Sequence, residues 1–218
     1  VYFDNDIVDN ALSDQIIRFM EQNEDFGPLV KFMENVFQNP NAHSREQLYT
    51  WLRSRNFAIT TEGNFIAYKS VWGVEDGGFK SCSSGRALVD GVEHIGQIPQ
   101  DIGQVVTMPR SEVQFDPNVG CHTGLHAGTL EYAESFSGDT VILVEINPRD
   151  VVSVPTDCEA QKLRVSRYTV KGICEGAVKR VVVYNDRFYD PVDDHFYRIS
   201  EILWGENEDN DYYDDLQF

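Results

Sequence analysis

The run Gly124-Leu125-His126-Ala127-Gly128-Thr129 is the most unusual local sequence in the chain. Glycines on both sides of a histidine let a ligand or another backbone come close. A helix starting just after them would offer free N–H groups that favour an anion. The same pattern suits a tight strand-to-helix turn whose histidine satisfies a buried carbonyl. The sequence leaves both readings open. Cys121, His122 and His126 carry metal-ligating atoms, but no second CxxC or HxxxH pair completes a tetrahedral set, so no metal is expected. A Cys/His nucleophilic pair lacks an orienting third group, and no catalytic residue is assigned.

A second grouping is basic. Residues 160–184 hold Lys162, Arg164, Arg167, Lys171, Lys179 and Arg180 against Glu175 alone. Such a segment can bind an anion, or it can be a set of solvated strand faces balancing acids elsewhere. GxxxxGK[ST], GxGxxG after a strand, HExxH and GxSxG are all missing, so the corresponding nucleotide-hydrolysing, dinucleotide-binding, zinc-protease and serine-hydrolase chemistries have no direct support.

The 218 residues carry 18 Lys+Arg and 36 Asp+Glu, a formal charge of −18. Residues 1–40 hold 8 acids and 2 bases, residues 185–218 hold 11 and 2, and residues 41–184 are nearly balanced at 17 and 14. Overall acidity disfavours wrapping a nucleic-acid duplex, whereas the balanced middle can still take a small anion. No apolar run reaches the roughly 18 residues of a membrane span. The chain starts at Val1 with no signal-like segment, as expected of a piece of a longer chain. Cys82, Cys121, Cys158 and Cys174 are scattered, which suits reduced thiols in a cytoplasmic protein.

The elements that must position these groups read as α+β. An N-terminal helical region (1–56) with three helices precedes a mainly antiparallel sheet domain (57–203) with one inserted helix, and an acidic tail (204–218) is expected to be disordered. Helices are expected over 7–21, from Pro28 to Phe37, and after a capping box at Ser44–Gln47 with Ser44 as N-cap. Phe57–Thr60 and Phe65–Val71 read as a hairpin around Gly63. Residues 73–104, rich in Gly, Ser and Gln, read as long loops with one short strand at most. Val105–Met108, Thr140–Ile146, Val151–Val154 and Leu163–Ile173 read as strands, Lys179–Tyr184 and Phe196–Leu203 close the ordered part, and Thr129 caps a short helix.

Several segments together resemble the C-terminal half of the phage rIIB-type proteins, the protectors from prophage-induced early lysis. They are Phe37-Gln38-Asn39-Pro40, Ile59–Gly63 leading into Ala67-Tyr68-Lys69, Val105-Val106 with Met108-Pro109-Arg110, and Cys121 with Gly124-Leu125-His126. Pro148–Pro155 and then Lys162, Arg164 and Tyr168 complete the set, in order, over residues 13–172. The resemblance implies a phage accessory protein that modulates host lysis or counters a host or prophage defence. It implies a protein partner, either an rIIA-type phage protein or a host protein, and a place in the host cytoplasm or at the periphery of the inner membrane.

Tyr68-Lys69 on a strand, then Gly124-Leu125-His126 before a helix, is also similar to the ADP-ribosyltransferase-like fold. That likeness implies a nucleotide or NAD-like ligand. The late strand holds Arg164, Ser166 and Arg167 where such enzymes place a glutamate, and an oxocarbenium-like transition state needs a carboxylate there. A non-enzymatic protein is therefore expected, with an active NAD-dependent ADP-ribosyltransferase as the least favoured reading. The alternative to protein binding is capture of an anionic nucleotide-type molecule by Tyr68, Lys69, Arg110, His126, Arg164 and Tyr168.

Overall fold

The computed structural model describes residues 26–53, 58–75 and 77–174, together with 2–3, 6–7, 17, 21, 182–184, 187–190 and 195–198. Two short strands pair at the start, β1 (Tyr2–Phe3) and β2 (Asp6–Ile7). Ile7 is thus in a strand, and most of the helix expected over 7–21 lies outside the described residues. So do residues 204–218.

Helix α1 (Gly27–Phe37) carries Pro28 in its first turn and buries Leu29, Phe32, Met33 and Val36. This is the face expected from their spacing. Helix α2 (Ala42–Arg53) begins two residues before the expected cap. Asn41 takes the capping role, its Oδ1 accepting from the His43 and Ser44 N–H groups. Ser44 and Gln47 are freed for tertiary work. The Ser44 hydroxyl donates to the Val152 carbonyl at 2.6 Å, and Gln47 Oε1 accepts from the Val154 N–H at 2.8 Å.

The rest of the described fold is mainly antiparallel sheet. Its strands are β3 (Phe65–Gly73), β4 (Phe79–Val89), β5 (Val92–Pro99), β6 (Val105–Thr107), β7 (Leu125–Gly128), β8 (Thr140–Ile146), β9 (Val151–Ser153), β10 (Lys162–Val165) and β11 (Arg167–Ile173). Helix α3 (Leu130–Glu134) follows β7 and is capped by Thr129, whose hydroxyl accepts from the Tyr132 N–H. A separate small sheet joins β12 (Val182–Tyr184), β13 (Arg187–Asp190) and β14 (His195–Arg198).

The nine-stranded order is β5-β4-β6-β11-β8-β3-β7-β10-β9, with β4 also pairing β3. That extra pairing closes β4, β6, β11, β8 and β3 into a five-stranded barrel, while β7, β10 and β9 continue outward from β3. The closed barrel overturns the expected ADP-ribosyltransferase-like architecture. Two helices, not three, lead into the sheet among the described residues. Cross-strand pairs share a face, so Phe65, Ala67, Lys69 and Val71 face inward with Ile146, Val144 and Ile142. One hydrophobic cluster runs from Phe32 and Trp51 of the helices through Phe65 into Val144 and Val170.

The turn around Gly63 forms as expected, with Gly63 at φ +70° and against the α1 backbone, but the strand expected over Phe57–Thr60 reduces to a single Ile59–Phe65 bridge, and Phe57 lies outside the described residues. The loops expected over 73–104 are instead the long β4–β5 hairpin. Ser83, Ser84, Gly85 and Arg86 are exposed, so no apolar alternation marked the strands. The missed signal was Asp90-Gly91, both with positive φ, a dipeptide that favours a two-residue hairpin turn. The single strand expected over Leu163–Ile173 is two, β10 and β11, interrupted at Ser166.

Candidate functional site

One edge of β3 is shared by two strands that diverge. At Val71–Gly73 it pairs with β4, and at Tyr68 it pairs with Gly128 of β7. Lys69 and Ser70 lie between the two pairings, where the sheet forks. The divergence starts in β4, whose register with β5 shifts between Lys80 and Ser84. There the Ser81 hydroxyl donates to the Ser83 carbonyl at 2.7 Å and accepts from the Ile98 N–H at 2.9 Å. A bulge of this kind bends a strand and raises its twist. On the other side Gly128 permits the approach of β10. A Cβ there would come within 2.5 Å of the Gln161 carbonyl and 2.7 Å of the Tyr132 ring.

The fork encloses a cavity of about 600 Å³, inside the range that holds small ligands. Its lining includes Tyr68, Lys69, Ser83, His126, Tyr132, Phe136, Lys162 and Tyr168, and no aspartate or glutamate among the described residues. That is notable in a chain with 36 acids.

Lys69 is the centre of this cavity's charge. Its Nζ reaches across the fork to the His126 carbonyl at 2.9 Å and lies 5.9 Å from the centre of the Tyr168 ring. No carboxylate among the described residues pairs with it. Loss of hydration on burial pushes its ammonium down to about 8, against a small opposing effect of Cys82. Desolvation disfavours the charged form of any amine. His126 is lowered to about 3, first by burial and then by the positive charges of Lys69, Lys162 and Arg164, with Asp157 opposing. Its Nε2 is buried without a hydrogen-bond partner, and the ring is neutral at physiological pH. Lys162 is nearly fully buried and pairs with Asp157 at 2.9 Å. Burial raises the Tyr68 and Tyr168 hydroxyls, and the Tyr168 hydroxyl donates to Gln100 Oε1 at 2.6 Å.

The six residues expected to bind a ligand therefore separate. Tyr68, Lys69, His126 and Tyr168 meet at the cavity. Arg164 is adjacent, opposite His126 in the β7–β10 ladder. It is 0% exposed and turns away from the cavity to the carbonyls of Asp116, Val119 and Gly120 and the Ser153 hydroxyl. It holds down the segment that leads into β7. Arg110 is elsewhere. It bonds Asn39 Oδ1, the Ser44 hydroxyl and the carbonyls of Arg149 and Val151, joining the helices to the β9 edge. Sequence reading missed Lys162 as a lining residue, although it stood in the basic segment, and missed Tyr132 and Phe136. The i, i+4 spacing of these two aromatics was the available signal.

No group of three or more His, Cys, Asp or Glu side chains among the described residues could hold a metal. No helix among them is long and apolar enough to cross a membrane.

The family model described as "Bacteriophage T4 protein rIIB" matches residues 1–184, a longer stretch than the resemblance read from residues 13–172. The chain is similar to protein rIIB of Enterobacteria phage T4, with 31% identity over 172 residues covering 78% of this chain and 50% of that protein. It thus spans about half the length of this relative. No solved structure matches.

Proposed function

The chain belongs to the rIIB family of bacteriophage proteins, and on that premise we propose that it serves its phage by capture rather than turnover. It acts on host lysis, or on a host or prophage defence, by binding a phosphate-bearing small molecule in the forked-sheet cavity. It does so in the host cytoplasm or at the inner face of the inner membrane. One observation carries the reading: among the described residues, no carboxylate lines the cavity that Lys69 faces or neutralises its ammonium. A desolvated ammonium is costly when unpaired, and an incoming phosphate supplies the missing partner through charge-assisted hydrogen bonds. An ammonium has three donors, and Lys69 spends one on a protein carbonyl. Binding of ribose 5-phosphate should raise the melting temperature of the wild-type chain and leave that of Lys69→Met unmoved. No rise in the wild type, or an equal rise in both, removes the proposal.

A second reading, a protein partner of the rIIA type or from the host, has its own observation. Strand β5 is a sheet edge among the described residues, and its Val92 and Ile95 are 62% and 78% exposed. Free edges invite strand addition. Ile95→Lys should abolish co-purification of any partner from infected cells, and an unchanged yield would reject this reading.

A further inference from the structure

The aromatic wall of the cavity has no part in binding an anion. Phe136 lines the cavity yet is 44% exposed. It pairs edge-on with Tyr132, ring centres 5.4 Å apart at 60°. Tyr132 is itself fixed against Gly128, at the end of the strand that carries His126. The helical spacing of Leu130, Ala133 and Phe136 puts the three on one face. Only Ala133 of the three is buried, so Phe136 contributes little to the core. A large aromatic at a cavity rim, next to cations, is what a planar ring with an anionic tail would use.

Three features line this one cavity. Lys69 supplies a charged donor. His126 supplies a neutral ring whose buried Nε2 has no partner, suited to a hydroxyl rather than to a second negative charge. Tyr132 and Phe136 supply an apolar aromatic wall. Across the fork, the Ser83 and Ser84 side chains stand exposed beside the same space.

Resting on the anion-site reading, we infer that the occupant is a nucleoside monophosphate, its phosphate on Lys69, its ribose hydroxyls by His126 and its base against Phe136. The volume of about 600 Å³ fits a single nucleotide. A polynucleotide is disfavoured by the −18 charge of the chain.

The test uses the full chain and isothermal titration with AMP, GMP, CMP, UMP, ribose 5-phosphate and adenosine. At least one nucleotide should bind tenfold or more tighter than ribose 5-phosphate. Phe136→Ala should reduce that nucleotide to the level of ribose 5-phosphate and leave the sugar phosphate unchanged. Phe136→Trp should restore the difference, and Lys69→Met should abolish binding of both phosphates. Equal affinities for nucleotides and ribose 5-phosphate, or a Phe136→Ala protein that keeps its preference, overturn the nucleotide inference while the anion site stands. No binding of any phosphate by the wild type overturns both.

Discussion

Lys69 on β3 and Arg164 on β10 are cations on the two strands that flank β7, and no ion pair neutralises either among the described residues, yet their surroundings differ. The guanidinium of Arg164 is enclosed and donates to three backbone carbonyls and a hydroxyl. Its rigid fork of donors suits fixed acceptors, and the acceptors are all protein. The ammonium of Lys69 meets one carbonyl and a ring, and the rest of its surroundings is an open cavity. The first cation organises the chain, and the second remains available to a guest. A positive charge buried in a sheet therefore does not by itself mark a site; unsatisfied donors facing free volume do.

Substitution separates the two roles. The largest effect is expected from Arg164→Ala, which strands the Asp116, Val119 and Gly120 carbonyls and empties a fully buried position. Urea unfolding should show a loss of about 3–5 kcal/mol, and a loss below about 1 kcal/mol would erase the distinction drawn above. Lys69→Met should do the reverse. Removing a desolvated, unpaired charge should leave stability unchanged or raise it by about 1 kcal/mol, while phosphate binding falls at least tenfold. A clearly destabilised Lys69→Met protein would make Lys69 a second structural cation.

pH sharpens the contrast. The Lys69 ammonium titrates near 8 when folded, below its usual 10.5. The unfolded chain therefore holds more protons between these values. Relative to Lys69→Met, wild-type stability should rise from about pH 8 to about 10.5, whereas phosphate affinity should fall above pH 8. His126 is lowered to about 3 from 6.5, so its contribution is full above 6.5 and is lost as pH falls towards 3. His126→Gln should flatten that part of the acid unfolding curve, and an unchanged curve would place the His126 titration elsewhere. The smallest effect is expected from Ser81→Ala, which removes the hydroxyl that bridges the β4 bulge. A loss of about 1 kcal/mol with weaker phosphate binding would tie the bulge to the fork, and loss of neither would untie them.

The sequence displayed these two regions unequally. Apolar spacing marked α1 and the strong β8 strand, and Thr129 marked the start of α3, because these features follow local rules. The β4–β5 hairpin escaped notice because its exposed Ser-Ser-Gly-Arg stretch shows no inward alternation. Barrel closure was not legible, since it depends on one three-residue pairing between β3 and β4. Tyr68, Lys69, His126 and Tyr168 could be chosen by residue type and family resemblance. Arg110 and Arg164 looked equivalent to Lys69 in one dimension. Only the partners set by the fold, backbone carbonyls against open cavity, distinguish them.

The protonation state of one amine decides most directly between a structural and a ligand-binding Lys69. Lysine Nζ resonances can be followed by NMR against pH, with Lys69 identified by its disappearance in Lys69→Met. Its titration should centre near 8 in the free protein and move upward by more than one unit when ribose 5-phosphate is present. A Lys69 that titrates near 10.5 and does not respond to the phosphate would contradict the account.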